Sequence, residues 1–331
     1  MEKKGTIKLW ARRLSLIWIW VVGFVLMTIG QLLGQLLYLI PGVEDASGAV
    51  QIGLMYASFI GIWAVFMLHI LIWKKNRPIF KALWTKSPGN NIMMFLLGFL
   101  LFGMLLNCIC ILAAFLNKDI FLRFECFEPL PLLGILICVF IQSSAEELVC
   151  RGFIYQRLRK NYKNPWVAII GNSVLFGLLH LANPGVSFLA IVNIVAVGIL
   201  YSLMVYYGNS IWCAMAAHTA WNYTQNIIFG LPNSGAVSPY SIFMLDASTA
   251  RDSFAYNVAF GVEGTILADI ILVIACIGLY RWYKDHPQQE YRIWEDDGKK
   301  AAAELSSETG IQKVKDIPEE GQTASASEEL K

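Results

Sequence analysis

The sequence predicts an all-α, polytopic integral membrane protein, a bundle of about eight transmembrane helices. Hydrophobic residues make up 56 % of the 331 residues and charged residues only 15 %, whereas soluble domains usually carry about 25 % charged residues. Several apolar runs reach about 20 residues, the length that a helix needs to cross a bilayer. These runs make the lipid bilayer the first expected partner. The near-neutral net charge gives no indication of a nucleic-acid partner.

Each predicted span is an apolar segment bounded by polar or charged residues. The first follows the basic stretch "MEKKGTIKLWARRL". It is too long for the core of a signal peptide and lacks a small-residue cleavage site, so it reads as an uncleaved helix. The eight segments lie near residues 14–40, 50–73, 92–117, 131–156, 165–182, 187–207, 210–229 and 264–283.

The basic residues predict the orientation of the bundle. Short cytoplasmic loops are enriched in lysine and arginine, and an even number of spans puts every basic cluster here on one side. We therefore expect both termini in the cytoplasm, and the short loops favour a bacterial cell membrane. The clusters are Lys3, Lys4, Lys8, Arg12 and Arg13, then "KKNR" at 74–77, then Arg157, Arg159, Lys160 and Lys163, and finally Arg281 and Lys284.

The chain divides into four regions. Residues 1–130 hold the first three spans, and 131–230 hold the spans with the unusual polar residues described below. Residues 231–284 contain a polar outer loop, running from about 230 to 262, and the last span. Acidic residues, alanine and serine dominate 285–331. Such a composition buries too little apolar surface to fold, which predicts a disordered cytoplasmic tail.

Three charged residues interrupt the fourth apolar run, "ICVFIQSSAEELVCRGFIYQRL" at 137–158. A charge at the bilayer centre costs at least ~2.5–3.5 kcal/mol, and intramembrane ionisable residues are functional candidates by default. Glu147 and Arg151 are four apart and can pair on one helix face. Glu146 lies about 100° round the helix, so the pairing leaves one carboxylate over.

Two further spans supply partners for this carboxylate. The fifth contains "FGLLH", with Phe176 and His180, and the seventh contains "HTAWN", with His218 and Asn222. At about 1.5 Å per residue, Glu146, His180 and His218 lie roughly 16, 22 and 13 Å from the cytoplasmic ends of their helices. Because helix ends are uncertain by a few residues, these depths overlap and predict one buried site.

This set of side chains suits hydrolysis in two ways. A desolvated carboxylate is a stronger base toward water, an imidazole can orient that water, and a second imidazole with a carboxamide can donate to an oxyanion. Glu146, His180 and His218 also make a zinc-binding set with an open fourth position. The residues alone leave both chemistries open. No H-E-x-x-H and no G-x-S-x-G motif occurs.

The three motifs "EELVCR", "FGLLH" and "HTAWN" match E-E-x-x-x-R, F-x-x-x-H and H-x-x-x-N in that order. The region from about 130 to 230 thus resembles the CPBP (CAAX protease and bacteriocin-processing, or Abi) family of intramembrane proteases. The resemblance implies that Glu146 and His180 activate water and that His218 and Asn222 form an oxyanion hole, with Glu147 and Arg151 in support. The family is commonly labelled metalloprotease, but the resemblance implies a glutamate-type peptidase without an obligatory metal, so no cofactor is expected.

The resemblance implies a peptide or membrane-protein substrate, in bacteria a bacteriocin leader or a membrane-anchored regulator rather than a prenylated CAAX protein. Two rival functions stay open. The chain could be a catalytically silent immunity or scaffold protein on the same fold, or a proton-coupled transporter that uses the acids as a relay. The remaining intramembrane polar residues are expected to serve structure: His69, Asn172, Asn193 and Asp269.

Overall fold

The computed structural model describes residues 2–295, with side chains from residue 15 onward. Helices dominate this part of the chain, which confirms the predicted all-α membrane class. The α-helices are α1 (Glu2–Gly34), α2 (Gly48–Ala57), α3 (Ile60–Ile72), α4 (Ile79–Leu83), α5 (Ile92–Leu97), α6 (Leu106–Leu116), α7 (Pro129–Glu147), α8 (Tyr155–Asn161), α9 (Pro165–Leu179), α10 (Phe188–Gly208), α11 (Ile211–Asn222) and α12 (Ile266–Asp285).

Three of these helices continue directly into π-helical turns. The turns are Gly98–Leu105 after α5, Leu148–Ile154 after α7 and Tyr223–Ile228 after α11. A π turn closes over one more residue than an α turn, and such turns are frequent at functional sites. The last two begin immediately after Glu147 and Asn222, the final residues of their α-helices, so two of the three motifs straddle or border a change of helical pitch.

Six helical stretches of the described chain are long and apolar enough to cross a membrane. The predicted total of eight is not reached by this criterion. α9, in the fifth predicted span, is a shorter apolar helix of 15 residues, and the seventh predicted span is absent from the six. The six are Ser15–Leu39, Gly48–Ile72, Ile92–Leu116, Pro129–Asn161, Phe188–Gly208 and Ile266–Asp285.

α11 owes its weaker apolar character to its place in the bundle. Of its twelve residues all but Trp212 are buried, because α5, α7, α10 and the π turn Gly98–Leu105 pack around it. A helix enclosed by protein needs no continuous lipid-facing apolar surface. Its polar residues His218, Thr219 and Asn222 can therefore be satisfied by neighbouring side chains, and these residues lower its hydropathy.

α1 packs against α3 through glycines. A Cβ at Gly34 would lie 1.7 Å from the carbonyl oxygen of Ser58, and one at Gly30 would lie 2.5 Å from Cα of Ile62. Glycines spaced by four let membrane helices approach at backbone distance. The position of α1 is thus set by backbone contact, and the same helix presents Met27 and Gln31 to the central cavity.

The predicted outer loop is an ordered structure. Its strand β2 (Phe243–Leu245) pairs antiparallel with β1 (Leu122–Phe124), with Leu122 opposite Leu245. Four loop residues are buried in a hydrophobic cluster beneath it, where they contact α6, α11 and α12: Leu231, Ala255, Tyr256 and Val262. A 3₁₀ turn at Val262–Gly264 then leads into α12. The loop therefore closes one end of the bundle.

The polar residues assigned to structure hold helices together. Asn172 on α9 donates to Ser202 Oγ on α10 at 3.0 Å, and Asn193 on α10 donates to Oδ1 of Asp269 on α12 at 3.0 Å. The expectation of interhelical hydrogen bonds is confirmed for both asparagines, and it accounts for the intramembrane acid Asp269. His69 pairs with Asn76 at 3.0 Å beyond the end of α3.

The compact unit extends to Ile293, further than residue 285, where the disordered tail was predicted to begin. Asn209 binds the carbonyl of Gln289 and the N–H of Tyr291, both within 2.9 Å. Arg159 forms an ion pair with Glu290. These contacts fix the segment after α12 against the bundle. The rest of the predicted tail, residues 296–331, lies outside the described residues.

Candidate active site

The three motifs meet inside the bundle. Glu146 and Glu147 end α7, His180 caps the C-terminus of α9, and His218 and Asn222 lie one turn apart on α11. Helix α11 packs against α7 and α10, and α10 packs against α9. The depths estimated from the sequence are consistent with this convergence, since Glu146, His180, His218 and Asn222 all line one cavity.

Glu147 and Arg151 form a buried ion pair. Nη1 of Arg151 lies 3.0 Å from Oε1 of Glu147, and both side chains are 0 % exposed. Nη2 of the same guanidinium donates to the carbonyl of Gly198 on α10 at 3.0 Å. The planar donor fork of arginine thus joins the end of α7 to α10.

Two aromatic rings enclose this ion pair. The guanidinium carbon of Arg151 lies 4.8 Å from the ring centroid of Phe176 and 5.4 Å from that of Tyr201. A cation over an aromatic face is attracted by the ring quadrupole, more so where water is excluded. Phe176, the first residue of "FGLLH", therefore acts on the arginine of the first motif, while its ring also packs edge-on to His180 at 4.7 Å.

Glu147 also fixes His218. Nδ1 of His218 lies 3.0 Å from Oε1 of Glu147, the oxygen already paired with Arg151. An ionised carboxylate only accepts hydrogen bonds, so the imidazole proton resides on Nδ1. Nε2 then points to the other glutamate, 3.7 Å from Oε2 of Glu146. Nε2 becomes a hydrogen-bond donor when the ring carries its second proton.

Glu146 lies next to a carboxamide that sequence reasoning did not single out. Nε2 of Gln142 donates to Oε1 of Glu146 at 2.7 Å, and Oε1 of Gln142 accepts from Nδ2 of Asn222 at 3.0 Å. Gln142 thus connects the free carboxylate to the last residue of "HTAWN". Its side chain is buried, whereas that of Glu146 is 17 % exposed.

His180 is half-buried and held by its own helix. Nδ1 lies 2.8 Å from the carbonyl of Phe176, one turn back. A carbonyl accepts a hydrogen bond, so Nδ1 carries the proton and the neutral ring keeps Nε2 as an acceptor. That orientation leaves a basic nitrogen for a water molecule in the cavity.

The cavity measures about 470 Å³ and has two kinds of wall. One wall is apolar and comes from α1, the end of α2, the N-cap of α3, α3 itself and α10: Met27, Met55, Phe59, Ile62, Ile194 and Val197. The other is polar and includes residues of the loops at one end of the bundle: Asn183, Asn233, Ser234 and Glu263. Glu146, His180, His218 and Asn222 line the same space.

Several polar residues of the site were not anticipated, among them Gln142, Asn233 and Glu263. Glu263 is 6 % exposed although it lies outside the membrane helices, and it accepts from Trp221 Nε1 at 2.9 Å. An acid between apolar residues in "FGVEGT", just before the last span, was a usable signal. Gln142 and Asn233 carried no such signal, since uncharged polar residues are common in helices and loops.

The proposed zinc set does not fit a metal. Within residues 15–295, no group of three or more histidine, cysteine, aspartate or glutamate side chains is arranged to hold an ion. His218 directs Nδ1 to Glu147, and His180 directs Nδ1 to a backbone carbonyl. Glu146, His180 and His218 share a cavity but form no ligand cluster in this part of the chain.

Comparison with known proteins identifies the region that carries the motifs. Residues 128–224 match the family model described as type II CAAX prenyl endopeptidase Rce1-like. This match confirms the resemblance to the CPBP family over that region, which includes every motif residue from Glu146 to Asn222.

A curated relative comes from Bacillus subtilis (strain 168), where the uncharacterized protein YyaK is 29 % identical over 153 residues. The aligned part is 44 % of this chain and 51 % of that protein, so the chain spans about half the length of the relative that it matches. No solved structure matches the chain.

Proposed function

Because residues 128–224 carry an Rce1-like domain of a CPBP-type membrane protease family, we propose that this integral membrane protein is an intramembrane endopeptidase. The observation that carries the proposal is the single cavity, in which two possible bases and two possible oxyanion donors face an apolar wall. An apolar wall of this kind suits a peptide segment that enters from the bilayer.

In the proposed reaction Glu146 is the general base. Its carboxylate takes a proton from water, and Nε2 of His180 accepts a second hydrogen bond that orients the same water. The water oxygen bonds to the peptide carbonyl carbon. The proton held by Glu146 then passes to the leaving amine nitrogen as the carbon–nitrogen bond breaks, which regenerates the carboxylate.

The oxyanion that develops on the peptide carbonyl oxygen needs hydrogen-bond donors on the side away from Glu146 and His180. Nδ2 of Asn222 and the protonated Nε2 of His218 can supply them, and preorganised donors of this kind are often the largest catalytic contribution. The contacts of His218 with Glu147 support this assignment because they hold the ring in one orientation. Arg151 in turn holds Glu147, so the second half of the first motif supports the oxyanion side.

The proposal is tested by incubating detergent-purified protein with a peptide library and identifying new termini by mass spectrometry. We expect cuts beside apolar side chains with the wild-type protein and no cuts with Glu146→Gln. If neither protein cuts any peptide while both remain monodisperse and folded, a catalytically silent membrane protein on the same fold is the better reading.

A further inference from the structure

Glu263 is a buried carboxylate outside the region matched by the family model. Its Oε1 accepts from Nε1 of Trp221 at 2.9 Å and from Nδ2 of Asn233 at 3.0 Å. Its Oε2 accepts from the N–H of Ser234 at 2.6 Å and from the Ser234 hydroxyl at 2.9 Å. Burial raises the pKa of Glu263, and the hydrogen bonds from Ser234 and Trp221 oppose that rise. Four donors around one carboxyl group correspond to its ionised form.

Asn233 connects Glu263 to the site. Its Nδ2 donates to Oε1 of Glu263 and also lies 3.2 Å from Oδ1 of Asn222. Because a carboxylate cannot donate, the Asn233 amide must turn its NH₂ group toward Glu263. The second hydrogen of that NH₂ group then points at Asn222, and Oδ1 of Asn222 accepts this hydrogen bond. The NH₂ group of Asn222 is thereby directed to the opposite side, toward Gln142 and the cavity.

The opposite end of this chain of amides imposes the same direction. Glu146 can accept but not donate, so Gln142 turns its NH₂ group to Glu146 and its oxygen to Asn222. The hydroxyl of Ser143 also donates to that oxygen at 3.0 Å. Two carboxylates thus fix the orientation of three carboxamides between them. Without Glu263, the orientation of Asn222 would depend on Gln142 and on the Ser143 hydroxyl, which accept from Nδ2 of Asn222 at 3.0 and 3.4 Å.

We propose that Glu263, acting through Asn233, is a positioning residue that holds the Asn222 side chain with its NH₂ group toward the reacting carbonyl. The inference rests on the proposed peptidase function for its kinetic test. The substitution Glu263→Gln separates charge from shape. Either orientation of the new amide sets an NH₂ group against a donor, Trp221 and Asn233 on one side or the Ser234 N–H on the other.

Asp119 offers a matched control. It is a fully buried carboxylate that accepts from the side chains of Asn117, Arg251 and Ser253, and it is not among the residues that line the cavity. Asp119→Asn makes the same chemical change, carboxylate to carboxamide, and loosens the same end of the bundle. It therefore reports the cost of a weakened loop without a change at Asn222.

The kinetic test uses the quenched fluorescent peptide that the wild-type protein cuts fastest, with rates expressed per folded molecule. For Glu263→Gln and Asn233→Ala we expect kcat to fall about tenfold or more with KM within about twofold, because a misdirected oxyanion donor acts on the transition state. Asp119→Asn should lower the melting temperature and leave kcat unchanged. Adding Asn233→Ala to Asn222→Ala should cause no further loss, since Asn233 acts through Asn222.

A second readout does not need activity. In protein labelled with ¹⁵N-asparagine, the side-chain NH₂ signal of Asn222 is identified by its loss in Asn222→Ala. We expect this signal to move in Glu263→Gln and Asn233→Ala but not in Asp119→Asn. If the wild-type protein cuts no peptide, the peptidase proposal fails and this measurement still decides the positioning role.

Three results would overturn the inference. The first is an unchanged kcat per folded molecule in Glu263→Gln, and the second is additive losses in the Asn222→Ala, Asn233→Ala double variant. The third is an Asn222 side-chain NH₂ signal that is unchanged in both Glu263→Gln and Asn233→Ala. Should Glu263→Gln fail to fold, Asn233→Ala gives the same kinetic and spectroscopic comparisons and decides alone.

Discussion

Nδ1 of His218 lies 3.0 Å from Oε1 of Glu147, on a carboxylate oxygen that also receives Nη1 of Arg151. One oxygen atom thus connects the first motif of the sequence to the third. The spacing E-E-x-x-x-R acquires a physical meaning from this contact: the first glutamate faces the cavity, and the second, neutralised by arginine, holds a histidine.

Removal of Arg151 should first affect stability. Arg151→Ala leaves Glu147 without its cation in a fully buried position, and breaking such a pair costs about 3–5 kcal/mol. We expect low expression and early melting, measured by thermal shift and size exclusion. Arg251→Ala is the control, because Arg251 pairs with a buried acid but is 61 % exposed. Equal melting temperatures for the two variants would contradict a stabilising role of the Glu147–Arg151 ion pair.

Loss of the proposed base should abolish turnover without unfolding the protein. In Glu146→Gln the amide oxygen can still accept from Gln142, as the carboxylate does at 2.7 Å, so the packing survives while the proton acceptor is lost. We expect near-complete loss of cleavage per folded molecule. Glu128→Gln, the same change at the N-cap of α7, should retain activity.

A paired histidine comparison locates the site. His180→Ala should match the loss in Glu146→Gln, whereas His69→Ala should cut normally because His69 binds Asn76 and does not line the cavity. If Glu146→Gln cleaves like the wild-type protein and His69→Ala is inactive, the proposed site is in the wrong place.

The oxyanion donors should show a graded effect. Asn222→Ala removes one donor, which typically lowers kcat by about 10²–10³, and His218→Ala should be at least as severe. The control is Asn226→Ala, four residues further along, since Asn226 does not itself line the cavity and binds Tyr56 and the carbonyls of Leu231 and Ala236. Comparable kcat values for Asn222→Ala and Asn226→Ala would remove Asn222 from the mechanism.

Chelators should leave activity intact. Within residues 15–295 no group of three or more histidine, cysteine, aspartate or glutamate side chains forms a ligand cluster, and the carboxamide of Asn222 is a poor zinc ligand. We therefore expect full cleavage in excess EDTA and no stoichiometric zinc by elemental analysis. Activity lost in EDTA and restored by zinc alone would move the mechanism to metal-assisted hydrolysis.

Orientation in the membrane can be measured with reporters. The lysine and arginine clusters predict both termini in the cytoplasm and the 230–262 loop outside. A cytoplasm-active reporter fused after residue 331 should be active, and one inserted into that loop should not. The loop borders the polar wall of the cavity, so a reversed result would also reverse the side from which a substrate reaches Ser234.

The sequence predicted the motif residues because charge is conspicuous in an apolar run. Glu146, Glu147 and Arg151 interrupt hydrophobic sequence, and helical spacing alone indicated that Glu147 and Arg151 could pair, as they do at 3.0 Å. Most spans followed from length and hydropathy. α11 departed from the pattern for the same physical reason that makes it important, since a central helix surrounded by protein can be polar.

The sequence did not place the other parts of the site, although the acid in "FGVEGT", Glu263, was a usable signal. Gln142 precedes Glu146 by one turn, yet a glutamine in a helix has no distinctive signal. Asn233 and Glu263 belong to a loop segment whose path depends on tertiary contacts, among them the burial of Leu231 and Val262. The π turns that follow Glu147 and Asn222 were likewise not predicted from the sequence.

The backbone contact between α1 and α3 fixes the width of the cavity on the side of α1. Met27 and Gln31 stand on a helix that cannot move closer, and a methyl group at Gly34 would collide with Ser58 at 1.7 Å. The width of the cavity therefore depends on Gly30 and Gly34, which take no part in the proposed chemistry. Substitutions at Gly30 and Gly34 would change which side chains fit beside Glu146, the proposed base, without any change to a motif residue.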